Sequence, residues 1–185
     1  MTVKEILILA CEFIGEKELA GKISSSEDLN DAENAKQQTL LSCFNLVNQE
    51  IASDYLPFLK REEVQVVDGK IFFSALSEQV VNVYEVKSKF GFSLSFKNFP
   101  SFIEVDGSAK TIVYSYIPED MELTDTVEFF NGLSARVYAY GIASEFLLVS
   151  GVSDDAEIWE ERFKESLFVL SRKRGEHRLP KRSFL

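Results

Sequence analysis

The sequence is poor in the residues that most enzymes use. Its 185 residues hold one histidine, two cysteines, two methionines and one tryptophan. A Ser–His–Asp or Cys–His site would have to use His177, which stands in the C-terminal tail. General acid–base chemistry needs its base on a rigid element, so a solvated tail residue is the simpler reading. Cys11 and Cys43 with one histidine cannot complete a four-ligand zinc site without carboxylates. Both fall in helical patterns and read as reduced core thiols of a cytosolic protein. No apolar run is long enough to span a membrane. A Glu at position 5 and the lack of a small-residue cleavage pair argue against a signal peptide. No glycine-rich, phosphate-cradling loop is visible, since Gly69, Gly91 and Gly107 read as turn or strand glycines. Repeats and low-complexity stretches are absent too.

Apolar and charged residues are plentiful. The chain is 45% hydrophobic and 27% charged, with 16 Phe, which excludes disorder and a fibrous repeat. A chain of this length forms one domain or at most two small ones and buries roughly 70% of its unfolded surface. Thirty acidic residues against twenty basic give a net charge of −10, which disfavours wrapping nucleic acid. The charge is uneven. Residues 172–185 carry six basic residues against Glu176, a balance of +5, so the first 171 carry −15. The basic tail is open to three readings: a solvated terminus, a nucleic-acid contact, or an arm that orders on another protein. Phe184 and Leu185 at its tip favour the arm, as an apolar anchor beside charges.

Hydrophobic periodicity predicts helices over 3–20, 31–56, 132–150 and 153–172. Gly21 is the expected stop of the first. Asn30 and Glu33 form a capping-box signature for the second, whose stripe is Leu40, Phe44, Val47, Ile51 and Tyr55, ended by Pro57. Between them, residues 62–117 change to strand character. Asp68-Gly69 between Val64–Val67 and Lys70–Phe73 is a hairpin signal. Phe90, Phe92, Leu94 and Phe96 alternate with Gly91, Ser93, Ser95 and Lys97, as on a strand. Asn131 is the expected cap of the third helix, which is apolar nearly all round and therefore buried on most sides. Gly151 ends it. Ser153 caps the fourth, with Asp154 and Asp155 in its first turn, and Gly175 stops it. The expected fold is α+β: mainly a bundle of about four helices, with an inserted antiparallel β-meander and an extended tail. Residues 1–172 read as a single domain and 173–185 as the tail.

Carboxylate chemistry is the one catalytic class that composition leaves open. Asp28/Asp31, Glu62/Glu63, Glu119/Asp120 and Asp154/Asp155 are the close pairs, yet each sits at a helix start or in a loop, where solvation or capping explains it. Trp159 at a stripe position reads as core. The Phe90-Phe92-Phe96 row beside Lys87, Lys89 and Lys97 could stack bases, but strand core is the plainer reading.

Three stretches together resemble the head-to-tail adaptor proteins of tailed-bacteriophage necks, the tail tubular protein A group and the head-completion connectors. The first is Asp28-Leu29-Asn30-Asp31-Ala32-Glu33-Asn34-Ala35, leading into Leu40-Leu41 and Val47-Asn48-Gln49-Glu50-Ile51-Ala52. The second is Val113-Tyr114-Ser115-Tyr116-Ile117-Pro118 followed by Leu123-Thr124-Asp125. The third runs from Tyr140-Gly141-Ile142-Ala143-Ser144-Glu145-Phe146 through Gly151 and Asp154-Asp155-Ala156 to Trp159 and Phe163. The likeness spans roughly residues 1–172 and rests on packing and turn residues. The β region is larger and richer in Phe than a minimal connector needs.

The resemblance implies a structural virion protein with no catalysis and no cofactor. Many copies, twelve in such adaptors, would form a ring under the portal, join head to tail and leave a channel for genomic DNA, which passes without specific binding. The expected partners are the portal protein, other neck or tail proteins and further copies of the chain, with no membrane. The expected location is the virion neck, after assembly in the bacterial cytoplasm. Arg172, Lys173, Arg174, Arg178, Lys181, Arg182, Phe184 and Leu185 would dock on the portal. An acidic lumen would let DNA slide, and a strongly negative body would make self-assembly weak and salt-dependent. Two alternatives are a monomeric bacterial protein-binding module that uses the β edge and a metal-dependent hydrolase built on the acidic residues.

Overall fold

A computed structural model describes residues 1–129 and 132–174, with Lys173 and Arg174 described by backbone alone. Among these residues the chain forms five α-helices and six strands in two three-stranded antiparallel sheets. About 49% of the described residues are helical and 23% are strand. It is a mixed α+β fold and not the expected four-helix bundle carrying a β-meander. Two compact units divide it: Met1–Phe44 with the chain from Glu122 onward, and Asn45–Met121.

In the helical unit the first predicted helix is two: α1 (Val3–Phe13) and α2 (Lys17–Ser25). Gly15 causes the break. It adopts φ +82, which costs glycine nothing. The N–H of Glu16 then reaches the Cys11 carbonyl at 2.9 Å, and that of Gly15 the Glu12 carbonyl at 3.4 Å. These two bonds make a Schellman stop six residues before Gly21, which lies inside α2. Thr2 and Glu5 form a capping box at the start of α1. Its free N–H groups on Val3 and Lys4 donate to the carbonyls of Asp125 and Leu123, at 2.9 and 3.0 Å, which satisfies donors that a helix start leaves orphaned.

Helix α3 (Asp31–Glu50) opens on the Asn30/Glu33 capping box, with the Glu33 N–H donating to the Asn30 side chain at 2.9 Å and the Asn30 N–H to Glu33 at 3.0 Å. Lys22 of α2 bonds Glu33 at 2.6 Å. That bond, with the Asn30 backbone, holds the Glu33 carboxyl below its ordinary range. Near Pro57 the helix loosens into a π-helical turn, Ile51–Tyr55, closed by Leu56 N–H to the Ile51 carbonyl at 2.7 Å.

Helix α4 (Ala135–Val149) starts after Ser134; the expected cap, Asn131, lies outside the described residues. Its Val137, Tyr138, Ala139, Ile142, Ala143 and Phe146 are buried, as are Val3, Ile6, Leu7, Ala10 and Cys11 of α1. A second Schellman stop uses Gly151 (φ +80), with Val152 N–H on the Leu147 carbonyl at 2.9 Å. The chain then turns into α5 (Ser153–Arg174). Close packing of α4 on α5 buries Ser144, whose hydroxyl donates to the Ala156 carbonyl at 3.1 Å.

In the other unit, β1 (Phe58–Glu63), β6 (Ala109–Ile117) and β3 (Gln79–Ser88) form one sheet in the order β1-β6-β3. The strands β2 (Lys70–Phe72), β5 (Phe102–Val105) and β4 (Phe96–Asn98) form the other, in the order β2-β5-β4. Of the consecutive strands only β4 and β5 pair with each other, so the arrangement is no meander. Asp68 and Gly69 do take positive φ and close the Val67–Lys70 bridge, yet β2 goes on to pair with β5, and Val64–Val67 form no strand. Both sheets contribute to one core of Ile71, Val86, Ile103, Val105, Ile112 and Tyr114.

Candidate docking surfaces

Of the predicted tail residues, only Arg172 has a described side chain. It is exposed, its guanidinium 5.0 Å from the Phe168 ring. Lys173 and Arg174 fall in the last turn of α5. Arg178, Lys181, Arg182, Phe184 and Leu185 lie outside the described residues, as do Gly175 and His177.

The groups able to do chemistry are dispersed or spoken for. Among the described residues no three His, Cys, Asp or Glu side chains gather as a metal would need, and no helix is long and apolar enough to cross a membrane. Burial pushes the Cys11 thiol up to about 12, helped by Glu16, and the Cys43 thiol up to about 11, helped by Glu145. Neither is a thiolate at neutral pH, so neither is poised as a nucleophile.

The densest polar group lies on the sheet unit. Lys60 bonds Glu78 at 2.6 Å and reaches Glu62 at 3.5 Å, while Ser77 donates to Glu62 through both its hydroxyl and its N–H. Partial burial opposes ionisation of Glu62, but Ser77, Tyr114 and Lys60 outweigh it and hold the carboxyl below its ordinary range. Tyr114 is fully buried beside this group, and its hydroxyl makes no well-formed hydrogen bond. Burial raises the Tyr114 pKa. Lys60 already bridges both carboxylates, which makes the group an ion-pair network and not a cation cage.

Exposed apolar side chains are the more distinctive feature. On α4, its turn and α5 they are Leu148, Val149, Val152, Ile158, Phe168 and Val169. Between α1 and the α4–α5 pair runs a shallow cleft of about 340 Å³ lined by Phe13, Ile14, Leu147, Asp155, Ile158, Trp159 and Arg162. Trp159, which the sequence placed in the core, is half-buried here. It stacks on Phe13 at 5.1 Å between centroids, with Arg162 5.0 Å over its ring.

On the sheet unit, Phe90 is 73% and Phe92 71% exposed. The predicted strand through them does not form, because Gly91 takes φ +83. A tight hairpin tip results: Gly91 N–H bonds the Ser88 carbonyl and Ser88 N–H the Phe92 carbonyl, both at 2.9 Å. A turn followed by a left-handed glycine is a common three-residue hairpin closure. A second aromatic group covers the outer side of β2-β5-β4, with Phe99 stacked on Phe102 at 4.7 Å, Phe72 5.8 Å from Phe102, and Lys70 4.8 Å over the Phe102 ring. The alternation at 90–96 was visible in the sequence. What hid the exposed tip was the reading of Gly91 as a strand residue rather than a turn residue.

No protein-family model matches the sequence, and no curated protein matches it at a significant level. The surfaces must be interpreted from their own chemistry.

Proposed function

We propose that this chain is a structural assembly protein, a head-to-tail adaptor of a bacteriophage neck that forms a ring under the portal. The observation that carries the reading is the α4–α5 hairpin. Its inner side is closely packed through Ala139, Ala143, Ser144 and Ala156, while Leu148, Val149, Ile158, Phe168 and Val169 stand outside in solvent. The residues that carry the resemblance to the adaptors include this hairpin and its Gly151 turn. Several large apolar side chains exposed along one helical hairpin suit a surface that another protein covers. The acidic body (−15 over residues 1–171) suits a channel wall along which DNA slides. Arg172, Lys173 and Arg174 lie within α5, and the basic residues after it, Arg178, Lys181 and Arg182, suit an arm that orders on the portal.

The exposed Phe90–Phe92 tip supports a second reading, a monomeric protein-binding module. Flanking DNA separates the two. Portal, terminase and capsid genes beside this gene support the adaptor, whereas metabolic or regulatory neighbours overturn it. With that portal in hand, removal of residues 175–185 leaves α5 whole and is expected to abolish portal binding without changing the melting temperature. Undiminished binding would overturn the docking role of the tail.

A further inference from the structure

Residues 86–103 hold three lysines and no acidic residue, the reverse of the chain around them. The helical unit up to residue 171 holds eighteen acidic residues against seven basic, a net −11. The basic segment also carries the most exposed aromatic rings of the described chain, Phe90 and Phe92. The backbone that carries these rings is closed into a turn. Three bonds close the tip: Ser88 N–H to the Phe92 carbonyl, Gly91 N–H to the Ser88 carbonyl, and Phe92 N–H to the Ser88 hydroxyl at 3.3 Å. Below it, Leu94 N–H bonds the Val86 carbonyl at 2.8 Å, and Ser93 bonds Glu85 at 2.9 Å. Lys89 lies 4.9 Å over the Phe90 ring. Two apolar knobs on a pre-formed turn lose little freedom on binding, so more of their burial appears as affinity.

The helical unit offers a matching recess. The cleft at Phe13, Leu147, Ile158 and Trp159 is apolar and aromatic, Asp155 stands exposed on its rim, and Arg162 is drawn over the Trp159 ring. We propose that the Phe90–Phe92 tip of one copy docks in the Phe13/Ile158/Trp159 cleft of a second copy, with Lys89 facing Asp155. The inference rests on the adaptor reading and names the contact by which that ring would grow. The contact is heterologous, since tip and cleft are different surfaces, and repetition of such a contact gives a closed ring or an open filament. Charge complementarity selects a second copy over DNA: the unit that carries the cleft is strongly acidic, while the tip offers only three lysines against the chain's overall −10.

Sedimentation velocity over a concentration series tests the contact, at near-physiological salt where repulsion between chains is screened beyond about 8 Å. Wild-type protein is expected to associate with rising concentration. The double variant Phe90→Ser/Phe92→Ser is expected to weaken association at least about tenfold, as loss of a central anchor does, with an unchanged melting temperature. Lys89→Glu is expected to weaken association, and Lys89→Glu combined with Asp155→Lys to restore it. Association of both tip variants at wild-type strength would overturn the contact and leave the ring reading standing. A wild-type chain that stays monomeric throughout would overturn the contact and solution self-assembly together. The same result with tip-dependent binding to single-stranded DNA would replace the second copy with nucleic acid.

Discussion

The two units treat their aromatic residues in opposite ways. In the helical unit most rings turn inward or onto each other, Phe129 and Phe168 excepted: Tyr138 and Phe44 are fully buried 5.7 Å apart, and Phe13, Tyr140 and Trp159 stack within 5.6 Å. In the sheet unit the core is mainly aliphatic, and Phe72, Tyr84, Phe90, Phe92 and Phe99 are all exposed. The reason is geometric. A helix such as α4, packed against neighbours on several sides, can bury residues nearly all round. Two three-stranded sheets share one core, and every second residue of each strand faces away from it, as Phe72 and Tyr84 do, while Phe90, Phe92 and Phe99 stand in the turns between strands. Aromatic residues in such positions contribute little to folding, which leaves them available for recognition.

The contrast breaks most directly at buried rings. Tyr138→Ala is expected to destabilise the protein by about 3–5 kcal/mol in denaturant unfolding, the cost of emptying an aromatic core site. A loss under 1 kcal/mol would show that the helical core is not as packed as its burial implies. Tyr114 is the useful exception among buried rings. Its hydroxyl is enclosed without a well-formed partner, so Tyr114→Phe is expected to be neutral or to stabilise by up to about 1 kcal/mol. A clear destabilisation would mean that the hydroxyl is satisfied by Glu62 or Ser77 in solution. On the outside, Phe90→Ser is expected to shift stability by no more than about 0.5 kcal/mol, and a larger loss would make the tip a folding element.

The smallest effect concerns a charge. Burial, with some repulsion from Glu160, raises the Glu145 pKa. A raised carboxyl pKa means that the folded state holds the proton more tightly. The cost of burying ionised Glu145 is therefore absent below its unfolded pKa and is incurred in full once pH rises through the raised folded value. Glu145→Gln is expected to raise stability at pH 7 by less than about 0.5 kcal/mol after solvent screening, with the gain fading in mild acid. A gain that persists unchanged in acid would contradict the assignment.

Much of the helical part was legible in the sequence, because capping and periodicity are local. Asn30/Glu33, the stripe of α3, Gly151 and the buried character of α4 all read directly. The Gly15 break did not, since two short helices in succession share one apolar period and only the φ of a glycine tells them apart. Sheet pairing was the larger miss. Asp68-Gly69 marks a turn correctly, but nothing local says that β2 continues to β5 or that β1 pairs with β6, fifty residues away. Four helices and a meander became five helices and two sheets for these reasons. The docking residues were half visible: the Lys and Phe of 86–103 stood out by composition, while their exposure depended on Gly91.

The central claim is that this chain assembles under a portal. Electron microscopy of the full-length protein mixed with the portal found beside its gene tests it directly. The account predicts a ring of added density on one face of the portal, with the Phe90→Ser/Phe92→Ser variant giving sparse or incomplete rings. Bare portals at saturating protein would contradict it.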